Sequence, residues 1–154
     1  MPRPFTESTD KSEQTQNPSL TLGIDHLGLT VPDLNTTVSF FVDCLGWKRV
    51  GGRPSYPAAF VSDGHVVLTL WEVTRQAERV AFDRKTNVGL HHLALRVGSA
   101  AALDEIFARV AQWPGVVVEF APENLGDGPK RHTMICEPGG IRIEFDFDPR
   151  IAAA

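Results

Sequence analysis

The phrase His26-Leu27-Gly28-Leu29-Thr30-Val31 returns sixty-six residues later as His92-Leu93-Ala94-Leu95-Arg96-Val97. Each copy opens a segment patterned as strand, helix and further strands, so the chain is expected to fold as two copies of one βαβββ unit. In the first copy Leu27, Leu29 and Val31 alternate with His26, Gly28 and Thr30, which predicts a strand over 22–31 with one buried face. Pro32-Asp33 offers a helix start, Leu34, Val38, Phe41 and Leu45 recur at helical spacing, and Gly46 supplies the stop. Three strands follow, over 47–50, 58–62 and 65–73, divided by Gly51-Gly52 with Pro54 and Pro57 and by the Asp63-Gly64 turn.

The second copy repeats the scheme. A polar connector over 74–88, with room for a turn or two of helix, leads to a strand over 89–97. Ser99 is a plausible helix cap, Leu103, Ile106, Phe107, Val110 and Trp113 form the apolar stripe, and Pro114-Gly115 ends it. Strands over 116–120, 132–136 and 141–147 complete the unit, and in the last Ile141, Ile143, Phe145 and Phe147 alternate with Arg142, Glu144 and Asp146. The expected fold is α+β, with module one at 22–73 and module two at 89–149. Residues 1–21, rich in Thr, Ser, Gln and Pro, are expected to be a disordered tail. The aliphatic faces should pack on the helices and leave the opposite sheet faces to line a cavity.

The repeat puts His26 and His92 at equivalent positions, and Glu144 shares the polar face of its strand. Two imidazoles and a carboxylate are a common donor set for one divalent metal ion, suiting Zn, Fe, Ni, Co and Mn about equally. His132, twelve residues before Glu144, is the candidate catalytic acid or base, because imidazole titrates near neutrality. Arg96 and Arg142 alternate onto the same face and could anchor a carboxylate or phosphate, Trp71 and Tyr56 could line a pocket, and His91 points to the opposite face. A net charge of -4 argues against nucleic acid as a partner. With no signal peptide and no apolar run of about 18 residues, no membrane association is expected and the cytoplasm is the default location. Cys44 and Cys136 lie far apart in apolar stretches and read as small buried side chains.

Three stretches together resemble the vicinal oxygen chelate superfamily, which includes glyoxalase I, methylmalonyl-CoA epimerase, fosfomycin resistance enzymes, extradiol dioxygenases and bleomycin-binding proteins. They are His26-Leu27-Gly28-Leu29-Thr30-Val31-Pro32-Asp33-Leu34 with Phe40-Phe41 and Leu45-Gly46, Gly89-Leu90-His91-His92-Leu93-Ala94, and Glu137-Pro138-Gly139-Gly140-Ile141-Arg142-Ile143-Glu144. The resemblance implies a curved mixed sheet around a metal held by His26, His92 and Glu144, a small-molecule substrate that chelates it, and a homodimer. Many relatives draw a fourth ligand from the last strand of module one, where this chain offers Leu68 or Thr69. The set is therefore closer to the three-ligand relatives. Yet Gly28 stands where glutathione-dependent fosfomycin enzymes carry threonine, and Met134 where extradiol dioxygenases usually carry tyrosine. Thr69 and Met134 become expected pocket residues beside Arg96, Arg142 and Trp71.

The implied function is a metal-dependent lyase, isomerase or transferase acting on a small oxygenated metabolite or drug. A non-enzymatic drug-sequestering protein and a ring-cleaving dioxygenase are the alternatives. Whether His26 and His92 meet within one chain or across two is open at this point.

Overall fold

The computed structural model describes residues 18–151; residues 1–17 of the expected tail lie outside the described residues. Module one comprises β1 (His26–Val31), α1 (Leu34–Ser39), a π-helical segment (Phe40–Cys44), β2 (Lys48–Arg53), β3 (Ala58–Ser62) and β4 (Val67–Glu72). A short 3-10 turn (Gln76–Glu78) interrupts the connector, and module two comprises β5 (Leu93–Arg96), α2 (Ala100–Val110), β6 (Val117–Asn124), β7 (Arg131–Cys136) and β8 (Arg142–Phe147). The expected βαβββ order therefore appears twice. It builds two four-stranded mixed sheets, ordered β1-β4-β3-β2 and β5-β8-β7-β6, each with one parallel pair.

Local chemistry sets the helix ends. The Asp33 carboxylate accepts from the Thr36 amide, and the Ser99 hydroxyl accepts from the Ala102 amide, each satisfying an otherwise orphaned N–H. The first helix is shorter in its α part than the apolar spacing suggested. After Ser39 it relaxes into π geometry, with the Leu45 amide donating to the Phe40 carbonyl, and Phe40, Phe41 and Cys44 all turn into the core. Gly46 then takes a φ of +77°, a left-handed conformation that favours glycine.

Two strands begin later than their patterns predict. The structure starts β1 at His26 and β5 at Leu93, while Leu22, Ile24, Val88 and Leu90 are exposed coil. The cause is the partner strand. His26 pairs with Val67, the first residue of β4, and the residues before Val67 are spent on the turn in which Asp63 accepts from the His65 and Val66 amides. A strand cannot extend where no neighbour offers hydrogen bonds.

The apolar faces of both sheets meet in one core. Leu29, Val31, Leu68 and Leu70 of module one join Ile135, Ile143 and Phe145 of module two, with Phe40, Phe41, Leu103 and Val110 from the helical segments. Two polar contacts also tie the modules. The Arg109 guanidinium donates to the Cys44 carbonyl at 3.3 Å, and the Thr37 hydroxyl donates to the Glu137 carboxyl at 3.3 Å. Glu137 is 1% exposed and also accepts from the Ile141 amide. Gly139 allows this closeness, because a Cβ there would sit 2.6 Å from the Glu137 Oε1 and 2.8 Å from the Thr37 Oγ1.

Burial holds the Glu137 carboxyl above its ordinary pKa, against the lowering effect of its hydrogen bonds. The folded state therefore keeps its proton to higher pH than the unfolded chain. This contribution to stability is fully present below the unfolded pKa and is lost as pH rises through the folded one. Glu137→Gln, which keeps the acceptor and gains a neutral donor toward Thr37, is expected to flatten that fall, whereas Glu137→Ala should cost about 1–3 kcal/mol by stranding buried donors. Urea denaturation of the three proteins across acidic to neutral pH checks both; an unchanged slope in Glu137→Gln would refute the assignment.

Candidate metal centre

Packing on a shared core leaves the other face of each sheet free for chemistry. In module two this face carries His92, Ala94 and Arg96 at the β5 edge, Arg142, Glu144 and Asp146 on β8, and His132 and Met134 on β7. The register sets Ala94 opposite Glu144, Glu144 opposite Met134, and His132 opposite Asp146. His92 Nε2 lies 3.2 Å from Glu144 Oε2, and His132 Nδ1 lies 2.5 Å from Glu144 Oε1. Met134 is buried beside them, and Arg96 is exposed.

The surroundings of His92 decide which nitrogen it presents. Its Nδ1 is 2.8 Å from His91 Nδ1, which also lies 3.2 Å from the Arg142 guanidinium. Arginine only donates, so this arrangement favours an accepting His91 Nδ1 and a proton on His92 Nδ1. His92 thus turns Nε2 toward Glu144. Limited solvation, followed by the nearby Arg142 charge, holds the His91 pKa below its ordinary value, consistent with an accepting nitrogen. Arg142 is fixed in turn by a bidentate pair with Glu119, at 2.6 and 2.7 Å. Arg142 thus belongs to a network with Glu119 and His91.

His26 repeats the arrangement on the other sheet. Its Nδ1 bonds the carboxylate of the preceding residue, Asp25, at 2.7 Å, which leaves Nε2 uncommitted. Both repeat histidines thus have Nδ1 held by the side chain immediately before them, the usual way a metal-binding imidazole is oriented. Among the described residues no hydrogen bond or ion pair joins His26 to His92 or Glu144. Among the described residues no group of three or more His, Cys, Asp and Glu side chains is arranged to hold a metal ion. His26 stands on the first sheet, and the His92–Glu144 pair belongs to the second.

The donor set nevertheless fits a metal. Two donor atoms each about 2.1 Å from one ion, at angles between octahedral and tetrahedral, stand roughly 3.0–3.4 Å apart, and the His92 Nε2 to Glu144 Oε2 separation is 3.2 Å.

The face around His26 is apolar and aromatic. Gly28 lies opposite Thr69 and Thr30 opposite Trp71. The Trp71 indole donates to the Thr69 hydroxyl at 3.0 Å, and its ring packs on Tyr56 and Phe60 at 5.2 and 6.1 Å. Leu68, the other position considered for a fourth ligand, is wholly buried in the core. Two hollows lie elsewhere. One of about 460 Å³ sits beside Arg49 and Arg53, and one of about 440 Å³ sits between the end of β1, the connector and the 138–141 turn; neither is lined by His92, His132 or Glu144.

Of the supporting residues Asp25, His91 and Glu119, only His91 was named from sequence, as a structural or supporting residue. The repeat held a signal for the first two, since each stands directly before a repeat histidine. Glu119 had none, because its partner Arg142 lies across the sheet.

Comparison with known proteins identifies the family and the fold. Residues 23–145 match the sequence profile of the Glyoxalase/Bleomycin resistance protein/Dioxygenase superfamily. A 2-epi-5-epi-valiolone epimerase from Actinomyces sp is 30% identical over 146 residues, covering 80% of this chain and 78% of its own. A glyoxylase/bleomycin resistance protein/dioxygenase domain from Frankia sp. EAN1pec superposes with a TM-score of 0.69 at 27% identity, covering 84% of this chain and 98% of its own. A fosfomycin resistance protein from Listeria monocytogenes shares the fold alone, with a TM-score of 0.65 at 18% identity over 88% of this chain and 100% of its own.

The Arg142 hydrogen bond, with its charge, holds the Glu119 carboxyl below its ordinary pKa. In Arg142→Ala the Glu119 carboxyl is expected to titrate nearer the usual carboxylate range, and an unchanged carboxyl titration by NMR would remove Arg142 from this network.

Proposed function

Because the chain belongs to the Glyoxalase/Bleomycin resistance protein/Dioxygenase superfamily, we infer that it is a metal-dependent enzyme acting on a small oxygenated metabolite, an isomerase that inverts a carbon stereocentre beside a carbonyl. The observation that carries this reading is the pair of preset donor atoms, His92 Nε2 and Glu144 Oε2, on an open sheet face. The epimerase relative favours isomerisation over the lyase and transferase chemistries of the same superfamily.

In this reading His92 and Glu144 of one chain and His26 of a second copy hold one divalent ion. Several features support a homodimer. β1 and β5 are the edge strands of their sheets, and exposed Leu22, Ile24, Val88 and Leu90 lead into them. The metal supplies Lewis-acid stabilisation of negative charge developing on a substrate oxygen. Three protein ligands leave room for two neighbouring substrate oxygens.

The chain's own residues would do the rest. With Nδ1 committed to Glu144, His132 exchanges a proton with the substrate carbon through Nε2. Arg96, exposed on the same face and in no ion pair among the described residues, takes a polar or anionic substituent. From the second copy, the Trp71 ring offers a flat apolar surface beside the Thr69 hydroxyl. Met134 closes the floor next to Glu144.

His26→Ala and Glu144→Ala should each lose bound metal and turnover. A mixture of the two refolded together should recover about one quarter of the parent's sites, since half the dimers are mixed and each holds one intact site. Metal analysis by mass spectrometry, with light scattering to establish the dimer, makes the test; full metal occupancy in Glu144→Ala, or no recovery on mixing, would refute the shared site. His132→Asn is expected to lose turnover by at least about 100-fold, measured as loss of solvent-deuterium exchange into a ketone substrate.

A further inference from the structure

Glu144 uses its two carboxyl oxygens separately. Oε2 faces His92, and Oε1 accepts from His132 Nδ1. The second contact is built into the sheet. The side chains of His132 and Glu144 are each 12% exposed. The His132 ring packs on Phe120 with centroids 4.9 Å apart. Phe120 is itself fixed, because the fully buried Thr133 donates its hydroxyl to the Phe120 carbonyl at 2.7 Å. Met134, opposite Glu144 in the register, is itself buried. His132 therefore has a packed ring, a committed Nδ1 and a carboxylate held at one chosen oxygen.

We propose that His132 is a positioning residue for Glu144, holding Oε1 so that the carboxylate meets a divalent cation through Oε2 alone. This rests on the metal-dependent reading above. A carboxylate free to swing can chelate with both oxygens and so fill a position that an incoming ligand needs. Pinned at Oε1, Glu144 binds through one atom, and the position stays open. The role uses only Nδ1 of His132 and is separate from proton exchange at Nε2.

Two substitutions distinguish this role from its alternatives. His132→Asn keeps an N–H donor at a reach like that of Nδ1, and His132→Phe keeps the ring's packing on Phe120 but no donor. Full-length parent and variants are titrated with Co2+ alone, without substrate, following affinity by calorimetry and coordination by the visible absorption of the bound ion; circular dichroism checks that each is folded. The expected result is parent-like affinity and spectrum for His132→Asn. For His132→Phe, affinity should be about 10–100-fold weaker, with a weaker visible band reporting a higher coordination number. Equal affinity and spectrum in folded His132→Phe would overturn the proposal. Loss in His132→Asn as large as in His132→Phe would overturn it too, because His132 would then be acting as a ligand itself or through packing. No Co2+ binding by the parent would overturn the metal-dependent reading together with this one, whereas a bound parent with indifferent variants overturns this one alone.

Discussion

A four-stranded sheet with one helix has one apolar face to hide, and here two such units hide theirs against each other. That sharing of a core directs the rest of the molecule. With Leu29, Val31 and Leu70 turned toward Ile143 and Phe145, the alternation of each strand sends His26 and Glu144 to opposite outer surfaces. His26 thus belongs to one module and the His92–Glu144 pair to the other. The buried Glu137 carboxyl, bonded to Thr37 a hundred residues away, adds a directional contact to an interface that apolar burial alone would leave free to slide.

The outer face of module two balances its charges by pairing. Arg142 pairs with Glu119, Lys130 with Asp146, and Glu144 lies between two imidazoles. Arg96 and Glu123 stand outside these pairs among the described residues, Arg96 on the exposed edge strand and Glu123 opposite His132. The outer face of module one is different in kind, with Tyr56, Phe60 and Trp71 grouped around a single hydroxyl. Brought together, the two faces would give a site with one polar, ion-binding wall and one apolar, stacking wall.

Much of this was legible in the sequence because it depends on near neighbours. The repeat, the caps at Asp33 and Ser99, the Asp63-Gly64 turn and the alternation along β8 are local patterns, and the structure realises each of them. The proximity of His92, His132 and Glu144 was also readable, since strand alternation and a hairpin bring them to one face. What was not readable depends on distant partners. The starts of β1 and β5 are set by where β4 and β8 can pair. The pairing of Arg142 with Glu119 depends on a partner twenty-three residues away on another strand. His26 carries the same local signature as His92, and only the packing of the modules separates the two.

The π-helical segment Phe40–Cys44 also bears on how relatives are compared. Two of its carbonyls reach amides five and six positions ahead, Phe40 to Leu45 and Phe41 to Trp47. Such a segment holds one residue more than an α-helix spanning the same distance. A relative with one residue fewer between Val38 and Gly46 would therefore keep both ends of the helix in place and change only its winding. A one-residue gap at this point of an alignment marks a change of helix type, not a shortened loop, and placing it beyond Gly46 instead would put every residue between the segment and the gap out of correspondence by one position.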